Sequence, residues 1–256
     1  MTDHPTSVDS RIPIGAHSAP FAPAPRMVEE WKRLAAFLRR PTLSDDRITD
    51  GALTVLGRIF ALDILAMFAL IIAASIAVAA GIYIPETALA GIEFTLPVIA
   101  LVVIGAPLSE ELLFRGWLSG KPGALLALLS LGIGTAVFAA FHATIPYLGL
   151  GAMALGALGA LAALILLRNH GAIGWFRMLF PLFFWLTAIS FALVHLWNFD
   201  EGSLWVLLPL VLPQFILGML LGYVRVRIGL WSAILLHAAH NSAALSIAAL
   251  AMMSGA

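Results

Sequence analysis

The side chains that could perform acid–base chemistry are few, and they lie within long apolar stretches of the chain. The candidates in these stretches are Asp63, Glu110, Glu111, Arg115, His142, His195, His237 and His240, with Asn241 as a polar companion. An ionisable group is expensive in hydrocarbon, so each is a candidate functional residue if the stretches cross a membrane. The chain has no cysteine, which excludes a disulfide framework, a thiolate metal site and a thiol nucleophile. Any metal must therefore be held by histidine, aspartate, glutamate or asparagine side chains.

Glu110 and Glu111 are the most informative pair. Neighbouring side chains on a helix point about 100° apart, so the two carboxylates are not expected to serve one function jointly. Glu111 precedes Arg115 by one helical turn, the spacing that favours an ion pair along a helix. Glu110 would then face a polar cavity, where a carboxylate beside a histidine suits a general base. The alternative is a pair of solvated glutamates at a helix end, but the apolar pattern continues to Leu118.

Histidines and an asparagine supply the candidate partners of Glu110. His237 and Asn241 are one turn apart and share a helix face. His195 and His142 each follow a phenylalanine by four residues, so spacing alone leaves His142 as an alternative to His195. Asn241 and the histidines are the residues available to bind a metal or to stabilise an oxyanion.

Two further polar residues are expected to be structural. Asp63 lies about one turn inside the predicted end of a span, within reach of Arg58 or of water. His240 is expected to pack between helices rather than to take part in chemistry.

Composition decides the class of protein that holds these residues. Of 256 residues, 61% are apolar and 11% are charged, whereas a soluble domain is roughly 45–50% apolar and about 25% charged. We therefore expect an all-α, polytopic transmembrane bundle whose partner is the lipid bilayer. The balance of 14 basic and 14 acidic residues argues against a nucleic-acid partner.

Seven spans are predicted from apolar runs of about 20 residues or more, the length that crosses a hydrocarbon core. They lie near 57–80, 94–119, 123–142, 148–167, 178–198, 205–224 and 229–252, in a transmembrane domain of residues 57–252. Residues 1–27 are proline-rich and predicted to be a disordered cytoplasmic tail. Residues 28–56 are predicted to form an amphipathic interfacial helix and a linker, with Trp31 at headgroup level and Glu29 and Glu30 on the polar faces.

The distribution of lysine and arginine predicts the orientation. With seven spans, every basic residue falls in the N-terminal region or at a boundary on the same side, and the loops near 81–93, 143–147 and 199–204 contain none. By the positive-inside rule, the N-terminus is then cytoplasmic and the C-terminus lies on the far side.

Three short motifs resemble those of the CPBP intramembrane proteases, also called the CAAX-protease or Abi family. Residues 109–116, Ser-Glu-Glu-Leu-Leu-Phe-Arg-Gly, resemble the family's Glu-Glu-x-x-x-Arg motif. Residues 191–195, Phe-Ala-Leu-Val-His, resemble its Phe-x-x-x-His motif, and residues 237–241, His-Ala-Ala-His-Asn, resemble its His-x-x-x-Asn motif. The resemblance covers residues 100–250, and the motifs occur in the family's order.

One departure from the family pattern concerns the middle motif. Family members usually have one helical passage between the Glu-Glu-x-x-x-Arg motif and the Phe-x-x-x-His motif. In this chain, the long interval from Glu111 to His195 has room for an extra helical hairpin. His142 lies at the more usual distance from Glu111. His195 is favoured because residues 191–198 match beyond the bare motif and because its distance to His237 is more usual.

The resemblance implies hydrolysis of peptide bonds in membrane-associated peptides or proteins, in the inner membrane of a bacterial cell. Known relatives include the enzyme that removes the last three residues of prenylated CAAX proteins, and bacterial members linked to bacteriocin immunity and peptide processing. Carried onto this chain, the implied catalytic residues are Glu110, Glu111, His195, His237 and Asn241, with Arg115 as the ion-pair partner. The ligand types permit a zinc ion held by Glu110, His195 and His237, although they do not require one.

Two other classes of function stay open. A proton-coupled transporter would also use intramembrane glutamate and histidine as a proton relay, but it would more often show an internal repeat, and none is seen. A non-proteolytic protein of the same fold, such as a scaffold or a bacteriocin-immunity protein, has no need of the Glu, His and Asn set.

Overall fold

The computed structural model describes residues 22–87 and 93–254, so most of the predicted tail lies outside the described residues. Regular structure within them is entirely helical, as predicted. The helices are α1 (Met27–Arg39), α2 (Ala52–Ala79), α3 (Leu96–Ala100), α4 (Ala106–Arg115), α5 (Pro122–Phe141), α6 (Pro146–Leu166), α7 (Gly174–Met178), α8 (Phe180–Val194), α9 (Leu204–Leu210), α10 (Leu212–Arg227) and α11 (Leu230–Ser254). A π-helical segment, Leu101–Gly105, joins α3 to α4, and 3-10 turns follow α4 (Gly116–Ser119) and α8 (His195–Asn198).

Six of the described helical segments are long and apolar enough to cross a membrane. They are Ala52–Ala79, Leu96–Ser119, Pro122–Phe141, Pro146–Leu166, Phe180–Asn198 and Leu230–Met253. Helices α9 and α10 pass the same test as a pair bent by 41°, which brings the number of candidate spans among the described residues to seven if this pair is one span. Pro209 inside α9 and Pro213 at the start of α10 explain the break, because proline removes a helical N–H and clashes with the preceding turn. The prediction of about seven spans is confirmed.

Helix α10 lies at the centre of the bundle. It packs against α2, α8 and α11, and α11 in turn packs against α2, α4 and the π-helical segment. The close approach of α8 to α10 depends on glycine, because a Cβ atom at Gly222 would lie 2.6 Å from the ring of Phe184, which is itself fully buried. Small residues of this kind let membrane helices pack at short distance.

Helices α5 and α6 form a hairpin at the side of the bundle and pack mainly against each other. Gly134 and Gly156 let the two backbones meet, since a Cβ at either position would lie 2.8 Å from a carbonyl oxygen of the other helix. The hydroxyl of Ser130 also donates a hydrogen bond of 3.0 Å to the carbonyl of Gly156. The residues of this hairpin are the extra residues between the Glu-Glu-x-x-x-Arg motif and the Phe-x-x-x-His motif.

Helix α1 is bound to the bundle through its polar face as well as its apolar one. Glu30 is fully buried and accepts hydrogen bonds from the Tyr223 hydroxyl (2.9 Å) and the Ala24 N–H (3.0 Å). The prediction that Glu30 lies on a solvated face is therefore wrong, because α10 and the preceding chain supply donors that the periodicity of α1 does not reveal. The indole N–H of Trp31 donates to the carbonyl of Arg58 at 2.9 Å.

The two ends of the bundle differ in charge. At one end, Arg177 pairs with Asp45 at 2.5 Å, and the N–H of Ile48 donates to the carbonyl of Arg227 at 2.8 Å. At the other end, the Tyr83 hydroxyl donates to the Glu201 carboxylate, which joins two loops whose described residues include no lysine or arginine. We call these the basic end and the acidic end.

The tight contact at Gly222 predicts the effect of a single methyl group. Gly222→Ala should lower the thermal unfolding midpoint in detergent, because overpacking a buried contact destabilises by about 1–3 kcal/mol. Gly132→Ala is the matched control, since no atom lies within 4 Å of its added Cβ and alanine is the better helix former. Equal midpoints for the two variants would contradict this account of the α8–α10 contact.

Candidate active site

Glu110 lies on α4 at the floor of a cavity of about 330 Å³. The cavity is bounded by the α3–α4 segment, α8, α10 and α11, and its polar lining residues are Glu110, His195, Asn198, Gln214, His237, His240 and Asn241. The Oε2 atom of Glu110 is buried and has no hydrogen-bond partner among the described residues. It lies 3.9 Å from His237 Nε2 and 4.0 Å from His195 Nε2. The structure thus brings together one carboxylate oxygen and two imidazole nitrogens.

Glu111 connects His237 to Arg115. Its Oε1 atom accepts a hydrogen bond from Arg115 Nη1 at 2.8 Å and another from His237 Nδ1 at 3.0 Å. The side chains of Glu111 and Arg115 are both 0% exposed. The two carboxylates point in different directions, as their spacing predicts, but both lie beside His237 on α11, which contacts Glu111 through Nδ1 and faces Glu110 with Nε2.

Arg115 is the cation around which four helices meet. Its guanidinium lies 4.0 Å from the ring centroid of Phe191 on α8, a distance at which a cation is attracted to an aromatic face. On α10, a Cβ atom at Gly218 would lie 3.3 Å from Arg115 Nη2. Arg225 at the end of α10 donates to the carbonyls of Arg115 (2.8 Å) and Gly116 (3.2 Å). The ion pair thereby fixes α4 against α8, α10 and α11.

The hydrogen bonds of the two histidines determine which ring nitrogen faces Glu110 as an acceptor. His195 Nδ1 lies 2.6 Å from the carbonyl oxygen of Phe191, and a carbonyl only accepts, so Nδ1 carries the proton. Glu111, held by Arg115, likewise accepts from His237 Nδ1. In the neutral imidazoles, both Nε2 atoms therefore present a lone pair toward the cavity. The Phe191 ring packs against both imidazoles, with centroid distances of 4.8 Å and 5.6 Å.

Asn241 ties α11 to the helix that bears Glu110. Its Nδ2 atom donates to the carbonyl of Val102 at 2.8 Å. Val102 lies in the π-helical segment, and single π-helical turns inside α-helices occur frequently at functional sites. Asn241 thus uses one of its two N–H groups in a structural bond, and the other remains for the cavity.

His240 and Asp63 form a second carboxylate–histidine pair. Asp63 on α2 is only 2% exposed, and its Oδ2 atom lies 2.8 Å from His240 Nδ1. The expectation that Asp63 reaches Arg58 or water is wrong, since Arg58 instead donates to the carbonyl of Ala24 at 2.5 Å. His240 also lines the cavity, so packing is not its entire role. The spacing of residues along one helix could not reveal that α2 lies beside α11.

His142 does not lie at the site. It caps the end of α5 in the lateral hairpin, where its exposed ring stacks on Phe138 with a centroid distance of 5.2 Å. Its Nδ1 atom lies 3.2 Å and 3.1 Å from the carbonyls of Phe138 and Ala139. The structure places His195 beside Glu110 and places His142 outside the cavity.

Two amides that line the cavity were not predicted to be site residues. Asn198 follows His195 by less than one turn, and Gln214 lies near the start of α10. Gln214 Oε1 is buried without a hydrogen-bond partner among the described residues. The signal for Gln214 was present in the sequence, because an amide inside an apolar span is itself a candidate functional residue.

The geometry does not fit a preformed zinc site. Ligands at about 2.0–2.1 Å from a tetrahedral zinc ion lie about 3.3 Å from one another, whereas Glu110 Oε2 is 3.9 Å and 4.0 Å from the two nitrogens. Among the residues that the structure describes, no group of three or more His, Asp or Glu side chains could hold a metal ion.

The cavity is closed toward the basic end and extends toward the acidic end. Glu111, Arg115 and Leu118 seal the first direction with 1% exposure or less. In the other direction, the lining residues on α11 continue from His237 to the exposed Ala248, and Phe94 before α3 faces them. Apart from its polar floor, the wall is mostly apolar.

Comparison with known proteins gives one match. The family model described as "Type II CAAX prenyl endopeptidase Rce1-like" matches residues 92–176 and 164–243, together more than half of the chain. The first segment contains the two glutamates, and the second contains His195, His237 and Asn241. Neither the curated proteins nor the solved structures gave a match.

The buried ion pair predicts a difference in stability between the two glutamates. Glu111→Gln should lower the free energy of unfolding by about 3–5 kcal/mol, because it leaves the buried Arg115 without its counter-charge. Glu110→Gln should change it little, since the Glu110 side chain is 29% exposed and has no hydrogen-bonded partner at Oε2. Thermal unfolding of both variants in the same detergent measures the difference. An equal loss in both would show that Glu111 is not the anchoring carboxylate.

Proposed function

The chain belongs to the Rce1-like family of type II CAAX prenyl endopeptidases, and on that premise we propose that it is an intramembrane endopeptidase in which Glu110 activates the attacking water. The observation that carries the proposal is the position of Glu110 Oε2, which is buried within 4.0 Å of the Nε2 atoms of both His195 and His237.

The distances at Glu110 suit one bridging water. A water about 2.8 Å from each of two polar atoms that lie 3.9–4.0 Å apart makes an angle of about 90° between them, which is within the range of a water molecule's hydrogen bonds. Such a water donates one proton to Glu110 and the other to an Nε2 lone pair. Both acceptors then polarise the same oxygen, as general-base catalysis requires.

Proton transfer follows from the same arrangement. As the water oxygen attacks the peptide carbonyl, Glu110 takes its proton and later delivers it to the nitrogen of the leaving amine, so no proton is lost. His237 can carry positive charge in the transition state, because Glu111 accepts from its other nitrogen. The free N–H of Asn241, one turn along α11 from His237, is the proposed donor to the developing oxyanion.

The proposed substrate is a membrane-associated peptide or protein. The cavity wall beyond the polar floor includes Phe94, Val98, Val102, Leu217 and Leu245, which suits an apolar chain rather than a soluble polar ligand. The amides of Asn198 and Gln214 provide polar contacts for a peptide main chain beside the catalytic groups.

Loss of the general base is the direct test of this function. Membrane proteins from cells expressing wild type, Glu110→Gln or His142→Gln should be compared by mass spectrometry of their termini. We expect the new termini that depend on wild type to persist with His142→Gln, because that ring lies outside the cavity. We expect them to fall by about 10²–10⁴-fold with Glu110→Gln, the range for loss of a general base. If wild type and Glu110→Gln give identical termini, a non-proteolytic function is favoured instead.

We further propose that the basic end faces the cytoplasm, from the positive-inside rule, so that the cavity opens toward the other side. The chain has no cysteine, so single-cysteine variants can be labelled without background. In intact cells, a membrane-impermeant maleimide should label Glu201→Cys in the acidic-end loop and Ala248→Cys at the cavity mouth. It should not label Thr42→Cys at the basic end. Labelling of Thr42→Cys alone would reverse the orientation, and labelling of Glu201→Cys without Ala248→Cys would contradict the open mouth.

A further inference from the structure

A second cavity lies outside the candidate active site, where α1 meets the end of α10. Its volume is about 480 Å³, and its walls include Arg33, Phe37, Arg40, Thr42, Tyr223 and Arg227. Among the lining residues that the structure describes, three are arginines and none is acidic. We call this cavity the arginine pocket.

The arginine pocket lies at the level where the spans end. Arg227 is the last residue of α10, and Arg40 caps the end of α1. The backbone there is held in place, since the N–H of Ile48 donates to the carbonyl of Arg227 at 2.8 Å. Because the ends of spanning helices lie in the interfacial layer of a bilayer, the pocket is at the height of lipid headgroups.

The positive charge that the pocket offers a ligand comes from Arg33 and Arg40, because Arg227 contacts the same Tyr223 side chain as Glu30. Glu30 is fully buried behind Tyr223, and its two oxygens already accept from the Tyr223 hydroxyl and the Ala24 N–H. Arg33 is held by a bond of 2.6 Å from Nη1 to the carbonyl of Ala22, which adds no negative charge. Arg33 and Arg40 therefore give the pocket a positive charge, and the bond to Ala22 holds one of the two guanidinium groups in place.

We propose that the arginine pocket binds the phosphate group of an anionic phospholipid. A guanidinium donates two parallel hydrogen bonds to a phosphate, and basic pockets between membrane helices on the cytoplasmic side are typical sites for anionic headgroups. Phe37 and the neighbouring Ala36 give the pocket an apolar wall, which suits the glycerol and the first acyl carbons. A lipid rather than a soluble anion is the proposed ligand, because the pocket has an apolar wall and lies at the height of the headgroups.

Helix α1 offers a matched control for this proposal. Lys32 and Arg39 are sequence neighbours of Arg33 and Arg40, they carry the same charge, and neither lines the pocket. The double variants Arg33→Gln/Arg40→Gln and Lys32→Gln/Arg39→Gln therefore change the net charge of α1 equally. Arg40→Gln alone is a milder variant for the case in which loss of the Arg33 bond disturbs α1.

The test measures retention of phosphatidylglycerol and of phosphatidylcholine with the same acyl chains, by native mass spectrometry of the full-length protein. We expect wild type and the Lys32/Arg39 variant to retain phosphatidylglycerol preferentially. We expect the Arg33/Arg40 variant to lose this preference by about 25-fold, since each basic side chain near a membrane surface contributes roughly fivefold to anionic-lipid binding. Arg40→Gln should give an intermediate loss with an unchanged unfolding midpoint.

Three results would overturn the proposal. The first is no preference for phosphatidylglycerol in wild type. The second is an equal loss in both double variants, which would indicate a diffuse effect of charge. The third is displacement of the lipid by millimolar inorganic phosphate, which would indicate a site for a free anion. None of these measurements depends on proteolysis, so failure of the proposed endopeptidase function would leave them unaffected.

Discussion

The buried pair of Glu111 and Arg115 is the interaction on which the rest of the site depends. Two charges with no exposed surface are tolerable in a membrane only if each is compensated. Arg115 finds Glu111 on its own helix and the face of Phe191 on α8, and Glu111 also accepts from His237 on α11. These contacts set where α4, α8 and α11 meet, and they close the bundle below the cavity floor. Glu111 Oε2 and Arg115 Nε and Nη2 have no hydrogen-bond partner among the described residues, so the pair is compensated by charge more than by hydrogen bonds.

The same pair explains why adjacent glutamates can differ in chemistry. Glu111 accepts hydrogen bonds from Arg115 and from His237 Nδ1. It therefore holds the His237 imidazole in the tautomer whose unprotonated Nε2 faces the cavity. Glu110, about 100° away around α4, has no such partner and remains available for water. One carboxylate positions the histidine, and the other faces the substrate cavity beside it. Sequence spacing assigned Glu111 to Arg115 but could not supply the contact with His237.

The sequence predicts what depends on local spacing and composition. Spans follow from apolar length, and the Glu111–Arg115 pair follows from one helical turn. The bend between α9 and α10 was not predicted, because the apolar run of 205–224 continues across Pro209 and Pro213. Contacts between distant helices are not readable in this way. Glu30 with Tyr223 and Asp63 with His240 each join helices far apart in the chain, so both carboxylates were assigned to solvated or interfacial positions. Covariation or a structure is needed to find such pairs.

Helix α11 shows why these distant polar contacts matter in a membrane. Lipid is as apolar as leucine, so hydrophobic burial gives little preference for one rotation of a spanning helix over another. His237, His240 and Asn241 lie within about one turn of α11, and they bond to α4, α2 and the π-helical segment respectively. Bonds in three directions leave one rotation of α11 that satisfies all of them. That rotation turns both histidines toward the cavity, so the groups that orient the helix are also the groups that line the site.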